Sequence, residues 1–177
     1  MLGRTMVREV CVESSTNYPV SVQHAAPRSI AAVQARLAVP DISALFASYL
    51  DQVYAAARAG AVQLDGQNIF VYRDTPDQPD HVDVAFGVGI KSPCTPYGNV
   101  LPVQLPFGEV AATTHWGAYA DLGAAHGAVI AWCRTHGRVP AGTRWEVYGH
   151  WTEDEAQLRT DVYYLLEPAA AAARLLS

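Results

Sequence analysis

Apolar residues recur at alternating steps of three and four between Ile42 and Ala57, a spacing that gives an α-helix one apolar face. Asp41 stands directly before this run, where a side-chain oxygen can cap the first turn, and Gly60 stands just after it. The pattern therefore predicts a helix between Asp41 and Gly60 whose apolar face packs against other elements.

Four shorter segments around this helix are rich in β-branched residues and are bounded by turn residues, which is typical of strands. Two precede the helix, at residues 20–24 and 29–38, and two follow it, at residues 68–73 and 81–88. The first half of the chain is therefore predicted to have the order β-β-α-β-β. The second half repeats this order, with elements at 100–105, 109–115, about 119–136 (the helix), 144–151 and 160–166.

The repeat is visible in the residues as well as in the order of elements. SIAAV and EVAAT start at residues 29 and 109, FVY and EVY at 70 and 146, and two Asp-Val pairs at 83 and 161, which are offsets of 80, 76 and 78 residues. The two halves, about 19–90 and 98–168, therefore differ only by small loop changes. A half of this size needs a partner for its apolar faces, so we expect the halves to join edge to edge or face to face around a pseudo-twofold axis.

The largest departure between the halves is Glu146, which stands where the first half has Phe70. Strand alternation places Glu146 and Tyr148 on one face of their strand and Trp145 and Val147 on the other. If the helices cover the Trp145 face, the opposite face near the seam presents an aromatic wall with one carboxylate, formed by Phe70, Tyr72, Glu146 and Tyr148. Alternation alone leaves open that the glutamate simply faces solvent and that the aromatics are ordinary core residues.

Composition narrows the classes of partner. Half of the 177 residues are hydrophobic and 16% are charged, enough to bury the core of one ordinary domain. The formal net charge is −5 and the 12 Lys and Arg residues are scattered, so we expect no direct nucleic-acid binding. An acidic protein with nine Tyr, four Phe and four Trp residues suits a flat apolar or cationic small molecule better.

Metal, cofactor and membrane signals are missing from the sequence. The three cysteines form no Cys-x-x-Cys pair and the six histidines show no chelating spacing, so we expect no metal site, and no motif indicates a cofactor. No segment has the apolar length of a signal peptide or a membrane span, so we expect a cytoplasmic protein without membrane association.

Three motifs occur in order in the second half: a His-x-Gly-x-Tyr-x-x-Leu pattern, a Trp-Glu-x-Tyr core, and a strand that begins with Thr-Asp. The residues concerned are His115, Gly117, Tyr119 and Leu122, then Trp145, Glu146 and Tyr148, then Thr160 and Asp161. With the duplicated frame, these motifs resemble the GyrI-like small-molecule-binding family, which includes the effector-binding domains of multidrug-sensing MerR-type and AraC-type regulators. The likeness covers about residues 20–167.

The resemblance implies an α+β fold in which the duplicated β-β-α-β-β halves form one pseudo-twofold antiparallel sheet, with two main helices on one face and a ligand groove at the seam. It implies a single domain at residues 19–168, with an N-terminal extension at 1–18 and a C-terminal tail at 169–177. The segment before Val20 is too short for a helix-turn-helix, so we expect a stand-alone bacterial member rather than a drug-responsive transcription factor.

The resemblance also implies a function. The groove would bind flat, lipophilic and often cationic small molecules, for multidrug binding, sequestration or sensing. The family's acidic groove residue corresponds to Glu146. The aromatic ligand-binding residues would be Phe70, Tyr72, Tyr148 and Tyr164, with Trp116 and Tyr119 near the mouth of the second helix. A tryptophan at a strand end is also commonly a core residue, so both interpretations of Trp116 stay open.

Two other functions stay open at this point. The resemblance also implies a possible enzyme, because some members of the family hydrolyse cyclopropane-bearing electrophilic natural products. The catalytic residues would then be Glu146 as base and Tyr119 or Tyr148 as proton donor. Gyrase-inhibiting members act on a protein partner, and this sequence identifies no such partner. The sequence alone does not decide between binding and turnover.

Overall fold

The computed structural model of the chain describes residues 18–168. Within that range it contains all the predicted strands and both predicted helices, and no helix there is long and apolar enough to cross a membrane. The predicted tail at 169–177 and residues 1–17 of the predicted N-terminal extension lie outside the described residues. The elements are β1 (Ser21–Ala25), β2 (Ser29–Ala38), α1 (Ile42–Arg58), β3 (Leu64–Asp74), β4 (His81–Ile90), β5 (Leu101–Gln104), β6 (Gly108–Trp116), α2 (Leu122–Thr135), β7 (Pro140–Tyr148) and β8 (Arg159–Leu166).

The strands form one antiparallel sheet of eight strands in the order β1-β6-β8-β7-β3-β4-β2-β5. This order is symmetric about the central β3–β7 pair, because β4 and β8, β2 and β6, and β5 and β1 follow outward on the two sides. Each half places its first strand at the edge of the other half, where β1 pairs with β6 and β5 pairs with β2. The prediction of an α+β fold with a duplicated, pseudo-twofold antiparallel sheet is confirmed.

Both helices pack on the same face of the sheet, α1 over β2 and β4 and α2 over β6 and β8. This face carries Phe70 and Tyr72, which pack with Leu50 and Val53 of α1. Trp145 belongs to a separate apolar cluster on the opposite face. The expectation that the helices cover the Trp145 face was therefore wrong. Both faces of β3 are apolar, so alternation identifies which residues share a face but not which face the helices cover.

Strands β3 and β7 each begin four residues before their predicted starts. In both strands the pairing register shifts within these extra residues, as in a β-bulge. A glycine with positive φ lies in each shift, Gly66 at +89° and Gly142 at +70°. Glycine interrupts the apolar pattern of a strand, so the pattern predicts a later start for both strands than the structure has. The two glycines are equivalent in the repeat, so the bulge belongs to both halves.

A short 3₁₀ turn precedes each helix, at Val39–Asp41 before α1 and at Tyr119–Asp121 before α2. The predicted helix starts at Asp41 and at about residue 119 therefore fall within these turns. Asp41 occupies the N-cap position of α1, but its side chain makes no capping hydrogen bond. The second turn brings Tyr119 next to Tyr148 of β7, with ring centres 5.5 Å apart.

His115, the first residue of the second-half motif, is 1% exposed and has a structural role. Its Nε2 lies 3.0 Å from the carbonyl oxygen of Ala118, which can only accept, so Nε2 carries a hydrogen and donates it. Its Nδ1 lies 2.8 Å from the hydroxyl of Tyr18. His115 thereby links the start of the described chain to the turn that leads into α2.

Candidate functional site

A cavity of about 890 Å³ lies over the central β3–β7 pair, bounded on its two sides by α1 and by the turn and first residues of α2. Aromatic residues make up a large part of its lining. The aromatic residues that line it are Phe46, Tyr54, Phe70, Tyr72, Tyr119, Tyr148, Trp151 and Tyr164. Volumes of roughly 300 to 1,000 Å³ are typical of pockets for drug-sized ligands. The predicted seam between the halves is therefore also the floor of this cavity.

Glu146 lies at the symmetry centre of the sheet. In the β3–β7 register it pairs directly with Phe70, the residue that it replaces in the repeat. Both side chains point to the helix face and line the cavity, and Glu146 is only 5% exposed. The departure between the halves noted in the sequence thus places one buried carboxylate against its apolar counterpart at the pseudo-twofold axis.

Three donors hold the Glu146 carboxylate. The hydroxyls of Tyr72 and Tyr148 donate to Oε2 at 2.7 and 2.6 Å, and Nε2 of His126 lies 2.9 Å from Oε1. An ionised carboxylate offers about four acceptor positions, so about one position of Glu146 stays open towards a ligand. The carboxylate is therefore held in place and still able to accept a hydrogen bond.

His126 is the site residue that the sequence reasoning missed. It projects from α2 between the buried Ala125 and Val129. A histidine within the apolar stripe of this helix is the feature of the sequence that could have indicated a site residue. The carboxylate of Glu146 only accepts, so Nε2 of His126 carries a hydrogen. Nδ1 lies 2.9 Å from the hydroxyl of Tyr164, which can donate to it in the neutral imidazole. Through His126, the Glu146 carboxylate on β7 is connected to Tyr164 on the neighbouring strand β8.

Phe70 and Tyr148 of the aromatic wall form one contiguous group with rings from neighbouring elements. The ring centre of Phe70 lies 4.9 Å from that of Tyr148, 5.9 Å from that of Phe46 on α1, and 5.1 Å from that of Phe86 in an edge-on arrangement. Tyr119 packs edge-on against Tyr148 from the other side. Such contacts fix the rings, so the wall is formed before any ligand arrives.

The tyrosines around Glu146 remain protonated well above neutral pH. Burial, followed by the nearby Glu146 charge, raises the pKa values of Tyr72 and Tyr148 well above their usual value. Burial raises the pKa of Tyr164 to about 12 and also raises the pKa of Tyr119. These hydroxyls therefore act as hydrogen-bond donors, and not as phenolates, under physiological conditions.

Alkaline unfolding should report these buried tyrosines. The folded protein keeps their protons to a higher pH than the unfolded chain, in which tyrosine titrates near pH 10. Their stabilising contribution is complete below that pH and is lost as the pH rises through the folded pKa, which is about 12 for Tyr164. We expect the free energy of unfolding to fall over this range by up to about 1.4 kcal/mol per pH unit for each such tyrosine.

The measurement is urea unfolding at several alkaline pH values, together with phenolate absorbance. Tyr164→Phe should make the decline shallower, because it removes one of the contributing groups. Ionisation of all nine tyrosines together near pH 10 in the folded protein would contradict the expectation.

Six of the seven predicted ligand-binding residues meet in the cavity, namely Phe70, Tyr72, Tyr119, Glu146, Tyr148 and Tyr164. Trp116 does not line it: this side chain is 59% exposed, with the Arg159 guanidinium 5.8 Å from its ring centre. Trp116 alternates with the buried His115, so it points to the sheet face away from the helices. The prediction that Trp116 is a ligand-binding residue was therefore wrong.

Trp151, rather than Trp116, lines the cavity. β7 ends at Tyr148 rather than at the predicted residue 151, so Trp151 lies in the connection to β8, where it lines the cavity and is 72% exposed.

We expect a bound aromatic ligand to quench the fluorescence of Trp151. Trp151→Phe should remove most of the quenching, and Trp116→Phe, the matched control, should leave it unchanged. Equal losses in the two variants would contradict this placement.

The expected absences of a metal, a cofactor and nucleic-acid binding stay predictions. Within residues 18–168, no group of three or more His, Cys, Asp or Glu side chains could hold a metal ion. Five of the eight arginines in this part of the chain pair with carboxylates: Arg28 with Asp65, Arg36 with Asp83, Arg138 with Glu109, Arg144 with Asp74 and Arg159 with Asp161. The cytoplasmic location is likewise carried forward as a prediction.

The fold and the cavity define a small-molecule-binding domain built from two β-β-α-β-β halves. The sequence matches the family model of the GyrI-like small molecule binding domain over residues 18–167, and the chain belongs to that family. No curated protein matches the chain.

Solved structures share the fold at low sequence identity. The C-terminal domain of EcmrR is 17% identical, with a TM-score of 0.73 over 86% of this chain and 99% of that one. SAV2435 bound to tetraphenylphosphonium is 10% identical, with a TM-score of 0.63 over 86% and 96% of the two chains. A hydrolase from Listeria innocua is 11% identical, with a TM-score of 0.52 over 84% and 91%. At these identities the similarity shows the fold alone.

Proposed function

We propose that the protein binds flat, lipophilic and often cationic small molecules in the aromatic cavity, with Glu146 as the counter-charge. The observation that carries the proposal is a 5% exposed carboxylate on the floor of an open cavity of about 890 Å³. Among the described residues, no Lys or Arg pairs with Glu146, and its donors are two tyrosines and an imidazole. The site supplies negative charge that a ligand cation can neutralise.

The aromatic wall adds to this preference. A desolvated carboxylate costs free energy unless an opposite charge or hydrogen bonds compensate it. Ring faces attract cations by about 0.5 to 2 kcal/mol each, more when the contact is dry. A lipophilic cation satisfies both requirements, because its apolar surface covers the rings of Phe70 and Tyr148 while its charge faces Glu146. SAV2435, a structural neighbour, is described as bound to such a cation, tetraphenylphosphonium, which supports the proposal.

Two ions of the same shape and opposite charge test the proposal. Tetraphenylphosphonium and tetraphenylborate differ chiefly in sign, so the hydrophobic contribution to binding is matched. Each charge contact with Glu146 is worth about 1 kcal/mol or more, attractive for the cation and repulsive for the anion, so we expect the cation to bind at least about thirty times more tightly. Isothermal titration calorimetry in a potassium-free buffer measures both. Equal affinities, or tighter binding of the anion, would contradict the proposal.

Hydrolysis of cyclopropane-bearing electrophiles is the second candidate. The observation that favours it is the Tyr119 hydroxyl, which lines the cavity beside Tyr148 and makes no hydrogen bond to the described residues. Tyr148 already donates to Glu146, so Tyr119 is the better proton donor of the two. Glu146 would take a proton from water as the water oxygen bonds to a cyclopropane carbon of the substrate. The cyclopropane C–C bond at that carbon would break, its electron pair would move into the conjugated carbonyl group of the substrate, and the carbonyl oxygen would accept the proton of Tyr119.

Turnover separates this candidate from binding alone. Incubation with a cyclopropane-bearing alkylating agent, followed by mass spectrometry, would show a product heavier by one water. Tyr119→Phe should then abolish the product while keeping tetraphenylphosphonium affinity within about twofold, since the lost hydroxyl does not touch Glu146. Absence of any water adduct with the wild-type protein would rule the candidate out for that substrate and leave the binding proposal untouched.

A further inference from the structure

Arg144 is a second charged residue in the cavity wall, and the function proposed above gives it no role. It lies on β7 two residues before Glu146, so the two side chains share the helix face, with backbone positions about 7 Å apart along the strand. Its side chain is 24% exposed. The cavity therefore contains a fixed positive charge beside its fixed negative one.

The two charges do not pair with each other. Nη1 of Arg144 donates to Oδ1 of Asp74 at 2.6 Å, and its guanidinium carbon lies 5.3 Å from the centre of the Tyr72 ring. The hydroxyl of the same Tyr72 donates to Glu146. One tyrosine therefore separates the charges, with its ring facing the cation and its hydroxyl bound to the anion.

Most of the donor capacity of Arg144 is unused by the described residues. A guanidinium carries five N–H donors, and Asp74 accepts one of them. The Asp74 side chain is 57% exposed, and a pair of this kind typically contributes only about 0–1 kcal/mol to stability. The ion pair alone gives little reason for an arginine at this place in the cavity wall.

We propose that the cavity prefers zwitterionic ligands, which carry a carboxylate or similar acid group as well as the cationic centre. Glu146 neutralises the cation, and Arg144 binds the acid group through its planar fork of N–H donors, which matches a carboxylate. The Tyr72 ring supports the apolar part of the ligand between the two charges. This inference rests on the proposed function, since it needs the same cavity and the same role of Glu146.

Rhodamine B and its ethyl ester form a suitable pair of probes. They share one cationic xanthene system, and only the free acid carries a carboxylate at neutral pH. The quantity of interest is the ratio of the ester Kd to the acid Kd, measured by calorimetry on the full chain at neutral pH. Arg144→Gln should lower this ratio by about tenfold, the usual value of a charge-assisted hydrogen bond.

Three further variants separate recognition from structural support. Arg144→Lys should recover part of the ratio, because it restores the charge but not the planar fork. Asp74→Asn should raise the ratio above the wild-type value, because it frees the guanidinium from a competing carboxylate. Arg36→Gln, which breaks a pair with Asp83 outside the cavity, is the matched control and should leave the ratio unchanged.

The outcomes are distinguishable. A ratio that is the same in the wild type, Arg144→Gln and Asp74→Asn, with both dyes still bound in a Glu146-dependent way, would overturn this inference and keep the proposed function. Failure of both dyes to bind, or binding that Glu146→Gln does not change, would overturn both. A merely structural Arg144 would shift the melting temperature in Arg144→Gln without moving the ratio, which also overturns the inference.

Discussion

Glu146→Gln is expected to weaken tetraphenylphosphonium binding by about ten- to a hundredfold, because the attraction between opposite unit charges about 6 Å apart is worth roughly 1.5 to 3 kcal/mol in a partly buried site. The carboxylate is 5% exposed, so water screens its attraction for a bound cation poorly. Tetraphenylborate, in contrast, should bind at least as well to the variant as to the wild type, because a repulsive charge has been removed. Calorimetric titration of both ions into both proteins gives the four affinities.

The substitution should preserve the fold, which makes the comparison interpretable. A glutamine oxygen can still accept from the hydroxyls of Tyr72 and Tyr148, and the amide can face His126 in its other tautomer. Glu109→Gln is the matched control, since Glu109 pairs with Arg138 on an exposed part of β6. If Glu146→Gln weakened the cation no more than Glu109→Gln does, Glu146 would not be the counter-charge.

Phe86→Ala is expected to lower the free energy of unfolding by about 3 to 5 kcal/mol, the usual cost of truncating a buried aromatic residue. Phe86 of β4 is fully buried. Its ring stacks on Tyr49 of α1 at 5.0 Å between centres and meets the edge of Phe70 at 5.1 Å. Truncation would leave a void between the first helix and the sheet, next to Phe70 of the cavity wall.

Urea unfolding of the wild type and the variant measures this loss. Phe107→Ala is the control, because Phe107 is 59% exposed and its truncation should cost at most about 0.5 kcal/mol. Phe86→Leu should lie between the two, since it fills part of the void. A loss below about 1 kcal/mol for Phe86→Ala would mean that the core behind Phe70 is loosely packed, contrary to its burial.

Much of the fold was predictable because the chain states it twice. Apolar periodicity identified the helices, and the repeat identified the order of elements along each half. The same repeat made Glu146 conspicuous, since a core-facing position that is Phe70 in one half is a carboxylate in the other. Once the seam was placed between equivalent strands, the residues sharing the parity of Glu146 followed, and Tyr72 and Tyr148 do contact it. That these residues bind a ligand stays a prediction.

Three features of the site were not predictable from local patterns. The face that the helices cover depends on the packing of the whole sheet, and both faces of β3 are apolar. His126 contacts Glu146 from another element, 20 residues away in the chain. Trp151 reaches the cavity only because β7 ends early and the following connection turns towards the helices, whereas Trp116 is turned away by strand alternation.

Residue types at fixed spacings along one chain predict the elements, the duplication, the family and the acidic position at the seam. Tertiary packing sets the depth of the cavity, the network of Tyr72, His126 and Tyr164 around Glu146, and the separation of Glu146 from Arg144. The reason is physical. Hydrogen bonds and burial at the site join side chains from four strands or helices, and their distances depend on how the two halves pack, which no periodicity within either half specifies.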